Sequence, residues 1–327
     1  MRAVVCKELG PVEKLVLDTD WQVGAPGPDE VVIDVKAGGL NFPDTLIIQG
    51  KYQVKPELPF VPGGECAGVI SAVGSNVEQQ KVGDKVIVVG SHGAFSEQLV
   101  TKASGVLSMP ESLSFIEAAG IGMTYFTSYY ALKQRAQLKA GETVLVLGAA
   151  GGVGITAVEI AKAMGATVIA AASTDEKLAL AKEKGADHLI NYSEQNLKDT
   201  LKELTGGKGV DVVYDPVGGD FSEAALRCMA WKGRFLVIGF ANGEIPKIPL
   251  NLTLLKGCDI RGVFFGAFSA KEPAEHRTNI SELWAMFDAG QLKPVVTDVF
   301  PMTDYVGAFR CLTERRAKGK VILDLAQ

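Results

Sequence analysis

The chain has 327 residues, 47% of them hydrophobic and 22% charged, and carries a formal net charge of −5. This is ordinary globular composition, with room for two domains at roughly 100–200 residues each. It excludes long disordered tracts and a basic footprint for nucleic acid or an acidic membrane surface. The start, Met1 to Glu8, has neither the apolar core nor the cleavage site of a signal peptide, so no leader is expected. The most apolar stretch, Thr143 to Val158, is crowded with glycines and reads as a buried strand and turn, so no membrane span is expected. Five cysteines lie far apart, at 6, 66, 228, 258 and 311. An odd, scattered set predicts free thiols in a reducing compartment, hence a cytoplasmic protein.

The first 123 residues predict a β-rich, turn-rich domain. Short alternating segments such as Val31–Ala37 and Ala67–Val73 are punctuated by Pro26-Gly27-Pro28, Pro62-Gly63-Gly64 and Val82-Gly83-Asp84. That pattern suggests a partly open barrel. From about 124 to 262 the pattern changes. Strands are predicted at 143–147, 167–172, 188–192, 210–214, 234–238 and 259–264, with helices at 153–164, 175–184, 197–204 and 221–229. Gly165 and Gly185 close the first two of these helices. Apolar strands alternating with helices predict an α/β domain with a doubly wound, parallel, six-stranded sheet. The tail, 263–327, has a predicted helix at 280–288 and a last strand at 320–325. It is expected to fold back on the β-rich part and complete that domain, with the active site in the cleft between the two domains.

The first strand of the α/β part runs into Gly148-Ala149-Ala150-Gly151-Gly152-Val153-Gly154. Small residues here permit a tight turn, close approach of the backbone to a pyrophosphate, and close packing of helix on strand. The following helix start offers free N–H groups and a partial positive charge. Ala150, Gly151, Gly152, Val153 and Gly154 are therefore candidate cofactor-binding residues. An acidic residue closing the second strand would select NAD by holding the ribose 2′-hydroxyl. This chain has Ala171-Ala172-Ser173-Thr174 there. Ser173, Lys177 four residues on, and Tyr192 at the end of the third strand together form a candidate pocket for a 2′-phosphate. Asp175 and Glu176 lie nearby, at a helix start where acids favour the dipole. The pattern predicts NADPH rather than NADH.

Several ordered motifs accompany this loop: Asn41-Phe42-Pro43-Asp44, Pro62 to Gly68, Val82-Gly83-Asp84-Lys85-Val86, Gly93 to Glu97, Gly122-Met123-Thr124 and Lys318-Gly319-Lys320-Val321. Over essentially the whole chain they resemble the medium-chain dehydrogenase/reductase superfamily, and within it the zinc-free quinone oxidoreductase branch, the zeta-crystallin-like proteins. The resemblance implies a Rossmann domain joined to a GroES-like β-rich catalytic domain. In the zinc alcohol dehydrogenases of this superfamily a cysteine and a histidine hold the catalytic metal; Asn41 and Gly64 stand at the matching positions and do not replace them. The cysteine-rich lobe for a second zinc is missing too. His92, His188 and His276 are far apart, and Glu65 reads as a structural acid bonded to backbone. No metal is expected.

The implied reaction is direct hydride transfer from NADPH to an electron-poor carbon of a quinone, with α,β-unsaturated carbonyls, including enoyl thioesters, as the alternative acceptors. Tyr52 is a candidate donor to the developing oxyanion. Asn41 could do the same or orient the nicotinamide ribose. Thr124 resembles the family threonine near the nicotinamide; Gly239-Phe240-Ala241 and Val263-Phe264-Phe265 resemble its flanking walls. Phe264, Phe265 and Phe268 suit either an apolar pocket wall or core packing. Family members usually dimerise through the edges of their dinucleotide-binding sheets, so a homodimer is expected. Two other readings stay open: a non-catalytic NADPH-binding protein, since lens crystallins have been recruited from this branch, and a zinc-dependent alcohol dehydrogenase, against which Asn41 and Gly64 speak.

Overall fold

The computed structural model describes residues 1–326. The chain divides into two compact units: Met1–Met123 together with the stretch from Pro294 onward, and Thr124–Lys293.

In chain order the first unit contains strands β1 (Ala3–Cys6), β2 (Leu15–Asp18) and β3 (Glu30–Leu40), helix α1 (Phe42–Ile47), strands β4 (Glu65–Val73), β5 (Lys85–Val89), β6 (Gln98–Lys102) and β7 (Val106–Ser108), and a short helix α2 (Phe115–Ala118). Helix α3 (Gly122–Tyr130) runs across the division. The second unit continues with β8 (Thr143–Leu147), α4 (Gly152–Ala163), β9 (Thr167–Ala172), α5 (Asp175–Glu183), β10 (His188–Asn191), α6 (Leu197–Leu204), β11 (Val210–Asp215), α7 (Asp220–Leu226), β12 (Met229–Val237), α8 (Asn251–Lys256), β13 (Asp259–Gly262), α9 (Phe265–Lys271) and α10 (Pro273–Asp288). The chain then returns to the first unit with β14 (Val296–Pro301), α11 (Tyr305–Thr313) and β15 (Lys320–Asp324).

In the first unit a seven-stranded sheet runs β14-β15-β3-β4-β5-β7, with β6 also paired to β3. Its pairs are antiparallel except β14 with β15. Val31, Ile33, Val35, Ile70, Val86 and Val88 fill its core, closed by an edge-to-face contact of Phe95 with Phe309 on α11. The pairing of β15 with β3 matters for function: it lays Val321 against Leu40, next to Asn41.

The second unit is built on a parallel sheet ordered β10-β9-β8-β11-β12-β13. This is the doubly wound order 3-2-1-4-5-6. Strand β8 reads Thr-Val-Leu-Val-Leu and its last four residues are buried, as expected of a strand covered on both faces. All four loops that follow β8 to β11 therefore emerge at one edge of the sheet.

The tail corrects the expected division. Residues 263–293 pack with the second unit rather than with the β-rich one, and the return falls at Pro294 instead of 263. The reason is aromatic packing: Phe268 stacks on Tyr130 of α3 at 4.0 Å, and Phe265 and His276 pack on Phe126. Tyr129 also donates to Glu282 of α10 at 2.8 Å. Phe264 and Phe265 do not end a strand. Strand β13 stops at Gly262, and Phe265 begins a helix.

Candidate active site

The phosphate loop is shaped by its glycines. Gly148 turns the chain at the end of β8 with φ +58°, a conformation that side-chain-bearing residues rarely adopt. Gly151 N–H donates back to the Gly148 carbonyl at 2.9 Å, and Ala149 N–H donates to Ala171 of β9 at 3.1 Å. Helix α4 then starts with Gly151 as its N-cap and no side chain capping it. Its first N–H groups, from Gly152, Val153 and Gly154, are left facing outward. Gly154 lets the helix approach the loop: a Cβ there would lie 2.2 Å from the Gly148 oxygen and 2.9 Å from the Gly148 carbonyl carbon. Ala150 is buried and offers its backbone only. This cradle fits a dinucleotide pyrophosphate, because the turn is closed by its own bond while the first N–H groups of α4 have no capping side chain.

Ser173 and Tyr192 directly follow the neighbouring strands β9 and β10. Tyr192 N–H donates to the Ala172 carbonyl at 3.1 Å, and Ser193 Oγ donates to the Ser173 carbonyl at 2.9 Å. Thr174 caps α5 by accepting from Lys177 N–H, which places Lys177 in the first turn. Residues Tyr192 and Phe221 hold their rings 4.4 Å apart. They line a cavity of about 700 Å³ shared with Asn196, Lys198 and Lys247. The sequence did not single out Phe221; its place at the first turn of α7, facing the end of β10, is set by the sheet order. Another cavity, about 370 Å³, opens between Thr143, Thr167, His188 and Asp211. It lies at the N-terminal ends of the strands, and ligands of such sheets bind at the carboxyl ends.

The Gly239–Ala241 turn is tied to the turn after β11. Asp215 Oδ1 accepts from Val217 and Gly218 N–H at 2.8 and 2.9 Å, and its other oxygen accepts from Ser222. Burial pushes the Asp215 carboxyl above its ordinary range, while these donors pull it back. Ala241 N–H then donates to Pro216 and Asn242 N–H to Val217. Val263 donates to Val237 at 3.0 Å, next to this turn. Phe264 is exposed, whereas Phe265 and Phe268 are buried in the aromatic cluster with α3. Thr124 is buried on α3, with its carbonyl accepting from Thr156 Oγ1.

In the first unit, Asn41 sits between β3 and α1, buried. Lys320 Nζ donates to its Oδ1 at 2.8 Å, to the Leu40 carbonyl at 2.8 Å and to Glu65 Oε1 at 2.6 Å. Asn41 Nδ2 donates to Glu65 Oε1 at 2.8 Å and more weakly to the Gly39 carbonyl at 3.3 Å. Glu65 Oε2 accepts from Met123 N–H at 2.8 Å. The expectation that Glu65 is bonded to backbone is thus incomplete, since its main partner is a buried ammonium. Both Asn41 N–H groups are engaged, so this amide has acceptor capacity left on Oδ1 and none to donate. Asp44 accepts from Asn41 N–H at 2.7 Å. Burial raises its carboxyl to about 7, against the pull of the Asn41 and Gly64 N–H groups and the Lys320 charge. Tyr52, half-buried beside this core, has its phenol pushed up by burial first and by the Asp44 charge second. Its hydroxyl therefore keeps its proton throughout the neutral range.

These residues do not fit a catalytic zinc. An amide with its oxygen on an ammonium, a glycine and a carboxylate paired with lysine supply no adequate donor set. Among the described residues, no three His, Cys, Asp or Glu side chains are grouped to hold a metal ion.

Comparison with known proteins places this geometry. Residues 27–111 match the family model described as alcohol dehydrogenase GroES-like domain, and residues 152–284 match zinc-binding dehydrogenase. The chain is 40% identical to quinone oxidoreductase-like protein 2 homolog of Nematostella vectensis, covering 100% of this chain and 89% of that protein. It is 37% identical to human quinone oxidoreductase, covering 99% and 97%. The crystal structure of Escherichia coli quinone oxidoreductase complexed with NADPH matches with a TM-score of 0.93 at 32% identity, over 99% of this chain and 100% of that one. The matches extend over both units, and the chain belongs to the medium-chain dehydrogenase/reductase superfamily, in its quinone oxidoreductase-like branch.

Proposed function

We propose that this protein is a metal-free reductase that uses NADPH to reduce quinones. The observation that carries the reading is the uncapped α4 start behind a glycine turn, with no carboxylate closing β9. The N–H groups of Gly152, Val153 and Gly154 would hold the pyrophosphate, with Ala150 and Gly151 shaping the loop and letting the ligand approach its backbone. Ser173, Lys177 and Tyr192 would hold the 2′-phosphate. Thr124, Gly239, Phe240, Ala241, Val263 and Phe264 would flank the nicotinamide. Phe265 would support them from the core. Bound NADPH supplies a hydride. Asn41, with no N–H left to donate and Lys320 on its oxygen, would accept from a ribose hydroxyl at the other Oδ1 lone pair rather than donate to an oxyanion. Tyr52 would donate to the oxygen that gains charge.

The test follows NADPH absorbance with a panel of quinones and enones, chelator present and NADH in parallel. Turnover with quinones supports the reading. Turnover with enones alone replaces the substrate, and tight NADPH binding without turnover replaces the enzyme by a binding protein. Tyr52→Phe should lower kcat by about tenfold or more at every pH below the phenol's raised range. A rate within twofold of the parent across that range would remove Tyr52 from the mechanism.

We further read the protein as a cytoplasmic homodimer. All five cysteines are unpaired and buried, which suits a reducing compartment. No helix among the described residues is long and apolar enough to cross a membrane. Strand β13 is an edge, and an open edge invites pairing with another chain. Beside it, Leu254 and Leu255 of α8 are 80% and 69% exposed, and Trp231, over Gly257 at the end of that helix, is 72% exposed. Leu254→Glu should give a monomer by light scattering at concentrations where the parent is a dimer. A parent that is already monomeric, or a dimer indifferent to this change, sinks the reading.

A further inference from the structure

The residues that line the proposed 2′-phosphate pocket leave an acid to be explained. Asp175 opens α5, two residues after Ser173, where a carboxylate could accept from a ribose 2′-hydroxyl and repel a 2′-phosphate. Its side chain is already engaged: Asn191 Nδ2 donates to Asp175 Oδ1 at 2.9 Å.

Asn191 is built to hold that position. It is the last residue of β10, paired in register with Ala172 at the end of β9, and only 6% exposed. Its Oδ1 accepts from Ser193 N–H at 3.2 Å, and its own N–H is taken by Gln195 Oε1 at 2.9 Å. An amide whose oxygen takes an N–H and whose nitrogen faces a carboxylate has one orientation; flipped, it would set two acceptors against each other. The same Ser193 bonds the Ser173 carbonyl, so the fixed amide and the pocket residue belong to one bonded segment.

We propose that Asn191 is a specificity-determining residue for the dinucleotide: its amide restrains the Asp175 carboxylate on the β10 side, so the acid neither accepts from a 2′-hydroxyl nor opposes a 2′-phosphate. The inference rests on the reading of Ser173, Lys177 and Tyr192 as the phosphate pocket. It explains how a chain with two acids at this helix start can still prefer NADPH.

The experiment is fluorescence titration of NADPH and NADH into the full chain and three variants, with no turnover required. In Asn191→Ala the acid is released, and the ratio of NADPH to NADH affinity should fall at least about tenfold, through weaker NADPH and tighter NADH binding. In Asn191→Ala combined with Asp175→Asn the ratio should return to the parent's. Asp175→Asn alone, which leaves the buried site intact, should keep the ratio within about threefold of the parent's. Loss of preference in Asn191→Ala that persists in the double variant would overturn the inference, because the effect would not run through Asp175. So would a gain of about tenfold or more in Asp175→Asn alone, a result that stands even if Asn191→Ala does not fold. A parent without NADPH preference would instead overturn the pocket reading itself.

Discussion

Lys320→Met is expected to destabilise the first unit by about 3–5 kcal/mol, the cost of leaving a buried carboxylate without its ion-pair partner. Glu65 is 1% exposed and Lys320 5% exposed, so neither charge has access to water in the native state. The ammonium makes three bonds, to Glu65, Asn41 and the Leu40 carbonyl. Without it, Glu65 keeps only the donors from Asn41 and Met123. The informative control is Glu65→Leu with Lys320→Met. Replacing both charges by apolar groups should recover most of the loss, because the desolvation cost goes with them. Urea unfolding read at the first unit's transition would separate the two variants. A single-variant loss below about 1 kcal/mol would mean that water reaches the pair.

That triad shows where sequence reasoning stops. Asn41, Glu65 and Lys320 each lie within a motif visible in the chain, yet Lys320 is 255 positions from Glu65. The antiparallel pairings of β15 with β3 and of β3 with β4 bring them together. A strand's alternation reports which face is buried, not which strand will lie beside it. Asn191 and Asp175 were separated in the same way, by a helix, and Phe221 had no local mark as a partner of Tyr192.

The α/β part was far more legible. Its strands are short apolar runs between helices closed by glycines, and such units admit few topologies. Helix α6 runs over 197–204 as the pattern predicted. Strand β12 starts earlier than expected, at Met229, and bulges at Trp231-Lys232-Gly233: Lys232 is left-handed, φ +62°, and the register with β11 shifts between Met229 and Arg234. The tail was harder. Helix α10 begins at Pro273, a residue well suited to a first helical turn, seven positions before the apolar pattern that betrays it. Which unit α9 and α10 join depends on Phe265 and Phe268 finding Phe126 and Tyr130, and nothing local to either segment encodes that choice.

The glycine loop was legible for a different reason: its constraint is on the backbone, so residue type alone reports it. Gly154→Ala is accordingly expected to weaken NADPH binding at least about a hundredfold, the equivalent of losing two charge-assisted bonds to the pyrophosphate. A methyl group at 154 would stand 2.2 Å from the Gly148 oxygen and 3.0 Å from the Ala149 Cα, all of it backbone. No rotamer relieves such an overlap, so either helix α4 moves outward or the loop opens, and both displace the N–H groups. Gly151→Ala makes the useful contrast. Its Cβ would meet the Gly148 oxygen at 3.4 Å, ordinary contact within the protein. Gly151→Ala should therefore melt close to the parent and lose affinity only if a ligand approaches that backbone closely. Gly154→Ala should both melt lower and bind poorly. Fluorescence titration with NADPH, beside thermal melts of the two variants, distinguishes these cases. Binding by Gly154→Ala within about threefold of the parent would mean that the α4 start is not where the pyrophosphate sits.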